Sequence, residues 1–126
     1  MKRTLAGAAL AACLLISHAD AAETFFGTAS WYGPGFHGRQ TANGERYDQN
    51  AETCAHKALP FGTVVRVTNL KTRKIALCRI NDRGPYHGGR VIDVSREIAS
   101  DLDMIGAGTA PVRVDVVRKK TRRPAH

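Results

Sequence analysis

The chain has 126 residues, the size of one domain, and a formal net charge of +8. That charge is unevenly placed: residues 22–117 carry twelve basic against ten acidic side chains, leaving +2, while Arg118, Lys119, Lys120, Arg122 and Arg123 form a basic tail. A near-neutral body with a basic end excludes a domain that tracks nucleic acid with a whole face, and the tail reads either as a disordered, solvated end or as a weak contact with anionic envelope polymers or lipid headgroups.

At the start, Met1-Lys2-Arg3 precedes an apolar stretch from Leu5 to Ile16, and an A-x-A pattern follows at Ala19 and Ala21. This is the pattern of a secretory signal peptide over residues 1–21, too short for a comfortable membrane span. It implies that the rest of the chain, a domain over 22–117 and a tail over 118–126, works outside the cytoplasm, with the cell envelope or periplasm as the expected location. A second processing route stays open: Leu10-Ala11-Ala12-Cys13 resembles a lipobox, whose lipidated Cys13 would anchor the chain to the membrane. The apolar run continuing through Leu14-Leu15-Ile16 weighs against it, since small or polar residues usually follow such a cysteine.

Further along, "TFFGTASWYG" (24–33) is β-rich and predicts a strand ending at Gly33-Pro34-Gly35. Residues 33–50 are polar and glycine-containing with little periodicity, a long loop of the kind that is usually functional or disordered. "ETCAHKALP" predicts a short helical turn stopped at Pro60. A β-branched strand follows over 63–70, then a polar turn, a returning strand over 74–81, and another over 90–95. Ser95 is placed to cap a helix with Glu97 in its first turn and Ile98, Ala99 and Leu102 on its apolar stripe. Residues 110–118 alternate cleanly as a last strand. Five or six short strands with one short helix predict a small, mainly β barrel.

Cys54 and Cys78 remain if the leader is removed at Ala21. In an oxidising compartment this pair either forms a disulfide or stays as two buried thiols. A bridge would close a loop of about 25 residues, for which chain entropy gives ~3.5 kcal/mol.

Four segments in order and spacing, "GTASWYGPGFHGRQTANGERYD", "AHKALPFGTVVRVTNL", "INDRGPYHGGRVIDVS" and "VRVDVV", resemble the rare lipoprotein A (RlpA) family over roughly residues 26–117. The resemblance implies a six-stranded double-psi β-barrel of the expansin and barwin type with one short helix. It also implies a septal, endolytic lytic transglycosylase. Such an enzyme cleaves the MurNAc–GlcNAc bond of peptidoglycan, leaves 1,6-anhydro-MurNAc ends, and prefers strands without stem peptides. Glycan strands are then the partner, no cofactor is needed, and a monomer is expected. By the same resemblance Asp82, Glu45 and His56 are the catalytic residues. Two departures stand out. Many members carry a C-terminal SPOR domain where this chain has its basic tail, and Cys54 and Cys78 occupy positions expected to be small or apolar.

Cleavage of a glycosidic bond requires a proton for the leaving oxygen. A carboxylic acid supplies it when burial or a nearby negative charge keeps it protonated. The apolar strand before Asp82 would deliver that residue to the barrel mouth, where Arg83-Gly84-Pro85 turns the chain. From spacing alone Asp82 reads rather as a turn cap beside Pro85, and the resemblance reverses that reading. A neighbouring Glu45 carboxylate would favour the protonated form of such an acid, and His56 would hydrogen-bond to a carboxylate or to substrate; read without the family, the two are a solvated loop charge and a satisfied, partly buried histidine. Among the aromatic residues near these motifs, Tyr32 and Tyr86 are chosen to face sugar rings. Arg39, Arg83 and Arg90 suit the lactyl carboxylate of muramic acid, or alternatively Arg–Asp pairs inside the barrel such as Arg90 with Asp93. His37, His56 and His87 lack a zinc spacing, so no metal is expected. No G-x-S-x-G elbow is present. The competing function is a non-catalytic, expansin-like peptidoglycan-binding module.

Overall fold

The structure, a computed structural model, describes residues 23–119. The expected signal peptide over 1–21, with Cys13 and the expected cleavage near Ala21, and the tail beyond Lys119 lie outside the described residues.

Six strands and one helix follow in order: β1 (Thr24–Trp31), β2 (Thr53–Ala55), β3 (Val64–Asn69), β4 (Ile75–Asp82), β5 (Arg90–Val94), α1 (Arg96–Asp101) and β6 (Thr109–Arg118). The strands close into a double-psi type barrel in the order β1-β5-β2-β4-β3-β6. The β1–β5 and β2–β4 pairs are parallel and the others antiparallel. Closure leaves no free sheet edge.

The period-two pattern of the sequence becomes the inside of this barrel. Val65 and Val67 on β3, Ala76, Cys78 and Ile80 on β4, and Ala110, Val112 and Val114 on β6 are all buried. Ile92 and Val94 of β5 and Ile98, Leu102 and Met104 in and after α1 complete the core. Truncating one of the larger side chains, such as Ile80 to Ala, costs ~2–5 kcal/mol through lost burial and the cavity left behind. Ser95 caps α1 as its position suggested: its Oγ accepts the Ile98 N–H at 3.2 Å and donates to the Ala51 carbonyl at 2.6 Å. At Gly27 any larger residue is excluded, because an added Cβ would lie 2.5 Å from Val91 Cγ1 and 3.0 Å from the Gly89 carbonyl oxygen. This is the close approach that lets β1 run beside β5.

One element differs from expectation. Residues 53–55 form strand β2, not a helical turn, with Cys54 opposite Ile80 on one side and Val94 on the other. Pairing on both edges outweighs the local preference of so short a segment. The cysteines settle as a disulfide: Cys54 and Cys78 are bridged with their Cα atoms 5.9 Å apart. The bridge ties β2 to β4, the two strands that carry the candidate site.

Candidate active site

The site grows from the last residues of β4. Ala76, Cys78 and Ile80 point inward and are buried. The next position of that period is Asp82, where the strand reaches the barrel rim and its side chain becomes half-buried. The parallel pairing sets Ala55 opposite Asp82, and the His56 N–H donates to the Asp82 carbonyl at 3.2 Å.

Three donors converge on the Asp82 carboxylate. The Tyr32 hydroxyl donates to Oδ2 at 2.8 Å, and the backbone N–H groups of Ala42 and Arg83 each donate to Oδ1 at 2.9 Å. All three are neutral. The ion pairs among the described residues all leave Asp82 out.

Tyr32 follows β1 directly and packs against Tyr47, with ring centroids 4.5 Å apart, and Phe36 at 6.0 Å. Burial first, and then the hydrogen bond to Asp82, push its hydroxyl above the ordinary phenol range. The group therefore stays protonated. Its polar end is turned to Asp82, whereas Tyr86, past the Gly84–Pro85 turn, is 77% exposed.

His56 is buried, and its ring lies 4.8 Å from that of Phe25. Its Nδ1 accepts the Ala58 and Leu59 N–H groups, each at 3.1 Å. Burial, and next the positive charge of Arg83, hold its pKa below the ordinary value, so the ring is neutral near pH 7. A neutral ring accepting at Nδ1 carries its proton on Nε2, which makes His56 a donor there.

Glu45 sits on an exposed turn beside β4. Arg79 grips it at two points, Nη1 to Oε2 at 2.9 Å and Nη2 to Oε1 at 3.0 Å, and Asn81 Nδ2 adds a bond to Oε1 at 3.1 Å. Arg79, and then Asn81, bring its pKa down to about 2, so Glu45 is a carboxylate with its charge matched. Arg79 and Asn81 share one face of β4 and Asp82 belongs to the other.

The arginines divide. Arg83 is drawn to the loop after β2, where Nη1 donates to the Leu59 carbonyl at 2.9 Å and the His56 carbonyl at 3.3 Å, and its Cζ stands 4.0 Å from the Phe61 ring centroid. Arg39 is exposed over the Phe36 ring, 5.6 Å from its centroid. Asp93 accepts the Ser30 hydroxyl.

The structure thus joins the Tyr32 hydroxyl to the Asp82 carboxylate and the His56 backbone to the Asp82 carbonyl at the end of β4 and β2, with Glu45 on the adjoining turn. Sequence reasoning missed the Ala42 amide and the Arg79–Asn81 pair. The alternation of Arg79-Ile80-Asn81-Asp82 carried a signal for the second, since residues two apart on a strand share a face. A cavity of about 430 Å³ lined by Asn43, Glu45, Phe61, Gly62, Arg79 and Arg118 opens beside this turn. Another of about 340 Å³, lined by residues including Asn69, Lys71 and Thr72, lies at the opposite end of β4. The strand rise puts that second cavity roughly 20 Å from Asp82, outside the site. No group of three or more His, Cys, Asp or Glu side chains among the described residues is placed to hold a metal ion.

The profile of a family described as lytic transglycolase matches residues 24–114. The endolytic peptidoglycan transglycosylase RlpA of Campylobacter jejuni is 57% identical over 95 residues, covering 75% of this chain and 34% of the relative. A probable endolytic peptidoglycan transglycosylase RlpA of Synechocystis sp. is 50% identical over 129 residues, covering 94% of this chain and 40% of the relative. The chain therefore spans about a third to two fifths of the length of these curated relatives. Two solved structures share the fold. Streptomyces papain inhibitor has a TM-score of 0.61 at 18% identity, covering 76% of this chain and 96% of its own. An expansin of Clavibacter michiganensis in complex with cellohexaose has a TM-score of 0.60 at 20% identity, covering 80% of this chain and 54% of its own.

Proposed function

The chain belongs to the RlpA family, and from that membership we propose that its barrel is an endolytic peptidoglycan lytic transglycosylase. In this reading it is exported to the cell envelope and cuts the MurNAc–GlcNAc bond of glycan strands lacking stem peptides, leaving 1,6-anhydro-MurNAc ends. The observation that carries the proposal is the Asp82 carboxylate at the barrel rim, oriented by three neutral donors and paired with no cation.

Most glycosidases divide the work between two carboxylates. A transglycosylase manages with one, because the nucleophile is a hydroxyl of the substrate itself. Oδ1 of Asp82 already accepts two N–H groups, so its lone pairs are occupied. The proton that moves is therefore carried on Oδ2. The Tyr32 hydroxyl donates to Oδ2 in both states, which leaves the Oδ2 proton, when present, free to point toward substrate. Oδ2–H gives its proton to the glycosidic oxygen as the bond from C1 to that oxygen breaks. The C6 hydroxyl of the same muramic ring then closes onto C1 and returns its proton to Oδ2. No water enters, and the residue ends in the state in which it began.

The surrounding residues divide the remaining tasks. His56 offers its Nε2–H to substrate or to the developing charge. Tyr86 presents an exposed ring to a pyranose face. Arg39 is exposed and able to meet the lactyl carboxylate. Arg83, held by the Leu59 and His56 carbonyls, supports the floor beneath His56.

The test is the chemistry of the products. The purified protein is incubated with glycan strands stripped of stem peptides by an amidase, and soluble fragments are read by mass spectrometry. New 1,6-anhydro-muramic ends are the expected result. Reducing muramic ends would make it a hydrolase. Co-sedimentation with glycan and no fragments would make it an expansin-like binding module.

A further inference from the structure

We infer that Arg79 is a positioning residue for this site: its two-point hold on Glu45 keeps the 41–45 turn against β4 and so seats the Ala42 amide on Asp82. The inference rests on the proposed activity only for its kinetic readout.

The turn is closed upon itself. The Thr41 N–H donates to the Glu45 carbonyl at 2.7 Å, with Thr41 Oγ1 also within 2.9 Å of that oxygen, and the Gly44 N–H donates to the Thr41 carbonyl at 3.0 Å. Asn43 Oδ1 accepts from Thr41 Oγ1 at 2.7 Å and from the Glu45 N–H at 3.0 Å. Gly44 has φ +95°, a left-handed conformation that a side chain would strain. So linked, residues 41–45 move as one piece.

That piece is fastened to β4 at three places. The Asn43 N–H donates to the Asn81 carbonyl at 3.3 Å, a long bond. The Ala42 N–H reaches Asp82 Oδ1 at 2.9 Å. The third fastening is the Glu45 carboxylate on Arg79 and Asn81, the one that is bidentate and charge-assisted, and therefore the strongest in kind. Arg79 itself is fixed: its backbone lies in β4 between Thr53 of β2 and Val64 of β3, and its N–H donates to the Glu52 carbonyl at 3.0 Å. The barrel wall thus sets the place of Arg79, Arg79 sets Glu45, and Glu45 sets the amide that orients Asp82. The other charged side chain lining the adjoining cavity is Arg118. Lysine in place of Arg79 would keep the charge but lose the fork that grips both oxygens.

The competing account is an ordinary surface pair, since both side chains are 42% exposed, and such pairs commonly do little. The experiment compares the full chain with Arg79→Ala, Arg79→Lys, Glu45→Gln and the Arg79→Ala/Glu45→Gln double variant. It follows the Ala42 amide by NMR chemical shift and hydrogen exchange, and anhydro-muramic release by kcat and KM. Arg79→Ala should shift the Ala42 amide and lower its protection. It should reduce kcat about tenfold by misplacing Asp82, with KM and Tm little changed. Arg79→Lys should recover part of both signals, and the double variant should lose no more than the worse single. An Ala42 amide unchanged in Arg79→Ala would overturn the inference, as would losses that multiply in the double variant. Should Arg79→Ala not fold, Glu45→Gln is read on the same amide. If the unaltered protein releases no anhydro ends, the functional reading fails while the amide still tests Arg79.

Discussion

Two aspartates on the barrel wall show how differently a carboxylate can be held. Asp115 of β6 accepts from the Thr24 hydroxyl at 2.8 Å and faces two guanidiniums, Arg113 at 3.0 Å and Arg66 at 3.9 Å. Its burial opposes ionisation, but Thr24 and Arg113, with Arg66 behind them, more than offset that and hold its pKa below the ordinary value. Asp82 of β4 also accepts three hydrogen bonds, yet from a phenol and two backbone amides. Cationic partners fix a carboxylate in its charged form and give the wall a cross-strand tie. Neutral donors orient a carboxylate without adding a counter-charge, and so favour its charged form less strongly than a cation does. Glu45, gripped by Arg79, belongs with Asp115 in kind although it lies beside Asp82.

The comparison can be broken or sharpened by experiment. The largest effect expected is on the foundation of the rim. Replacing Cys54 and Cys78 with Ser, or reducing their bridge, should lower stability by ~3 kcal/mol, read from the denaturation midpoint. Because the bridge joins β2 to β4, NMR shifts should move more around Asp82 than around Asp115. Next, Tyr32→Phe removes one neutral donor and leaves the ring. It should slow anhydro-muramic release about tenfold, ~1.4 kcal/mol of barrel-rim stabilisation of the transition state, and displace the pH–rate profile. An unchanged profile would remove Tyr32 from the proton's path. Asp115→Asn should cost roughly 1–3 kcal/mol of stability, because Thr24 and Arg113 lose a buried charged acceptor, and leave the rate alone. The smallest effect is the pH response of the turn. Glu45 titrates at about 2 in the folded chain against an ordinary value of 4.5. Its contribution is therefore complete above about 4.5 and fades as the pH falls towards about 2. The exposed pair should also weaken with added salt. A carbon-detected titration of the Glu45 carboxyl, followed together with the Ala42 amide, checks both.

Much of this architecture was written in local pattern. The alternation in β3, β4 and β6 and the Ser95 cap predicted elements within a residue or two of those found. The three residues of β2 carry no periodicity of their own, and only their two neighbours make them a strand. The site divides in the same way. An apolar strand running straight into Asn81-Asp82-Arg83-Gly84-Pro85 placed Asp82 at a rim, a pattern that suits a turn cap as well, and the family resemblance singled it out. The partner Tyr32 lies 50 residues away, and its hydroxyl meets Asp82 only because β1, β5, β2 and β4 are adjacent in the closed barrel. Composition marked Tyr32 as an aromatic near the motifs and could not say which way its hydroxyl points. Arg83 shows the reverse: a motif position suggested a ligand contact, and the fold gives its guanidinium to backbone carbonyls.

The most direct measurement is the rate of 1,6-anhydro-muramic release from denuded glycan by the unaltered protein, Asp82→Asn and Asp115→Asn, with Tm and glycan binding recorded on each. The account predicts that Asp82→Asn loses about 10²- to 10⁴-fold in rate while still folding and binding, and that Asp115→Asn keeps the full rate. Release by Asp82→Asn at the rate of the unaltered protein would contradict it.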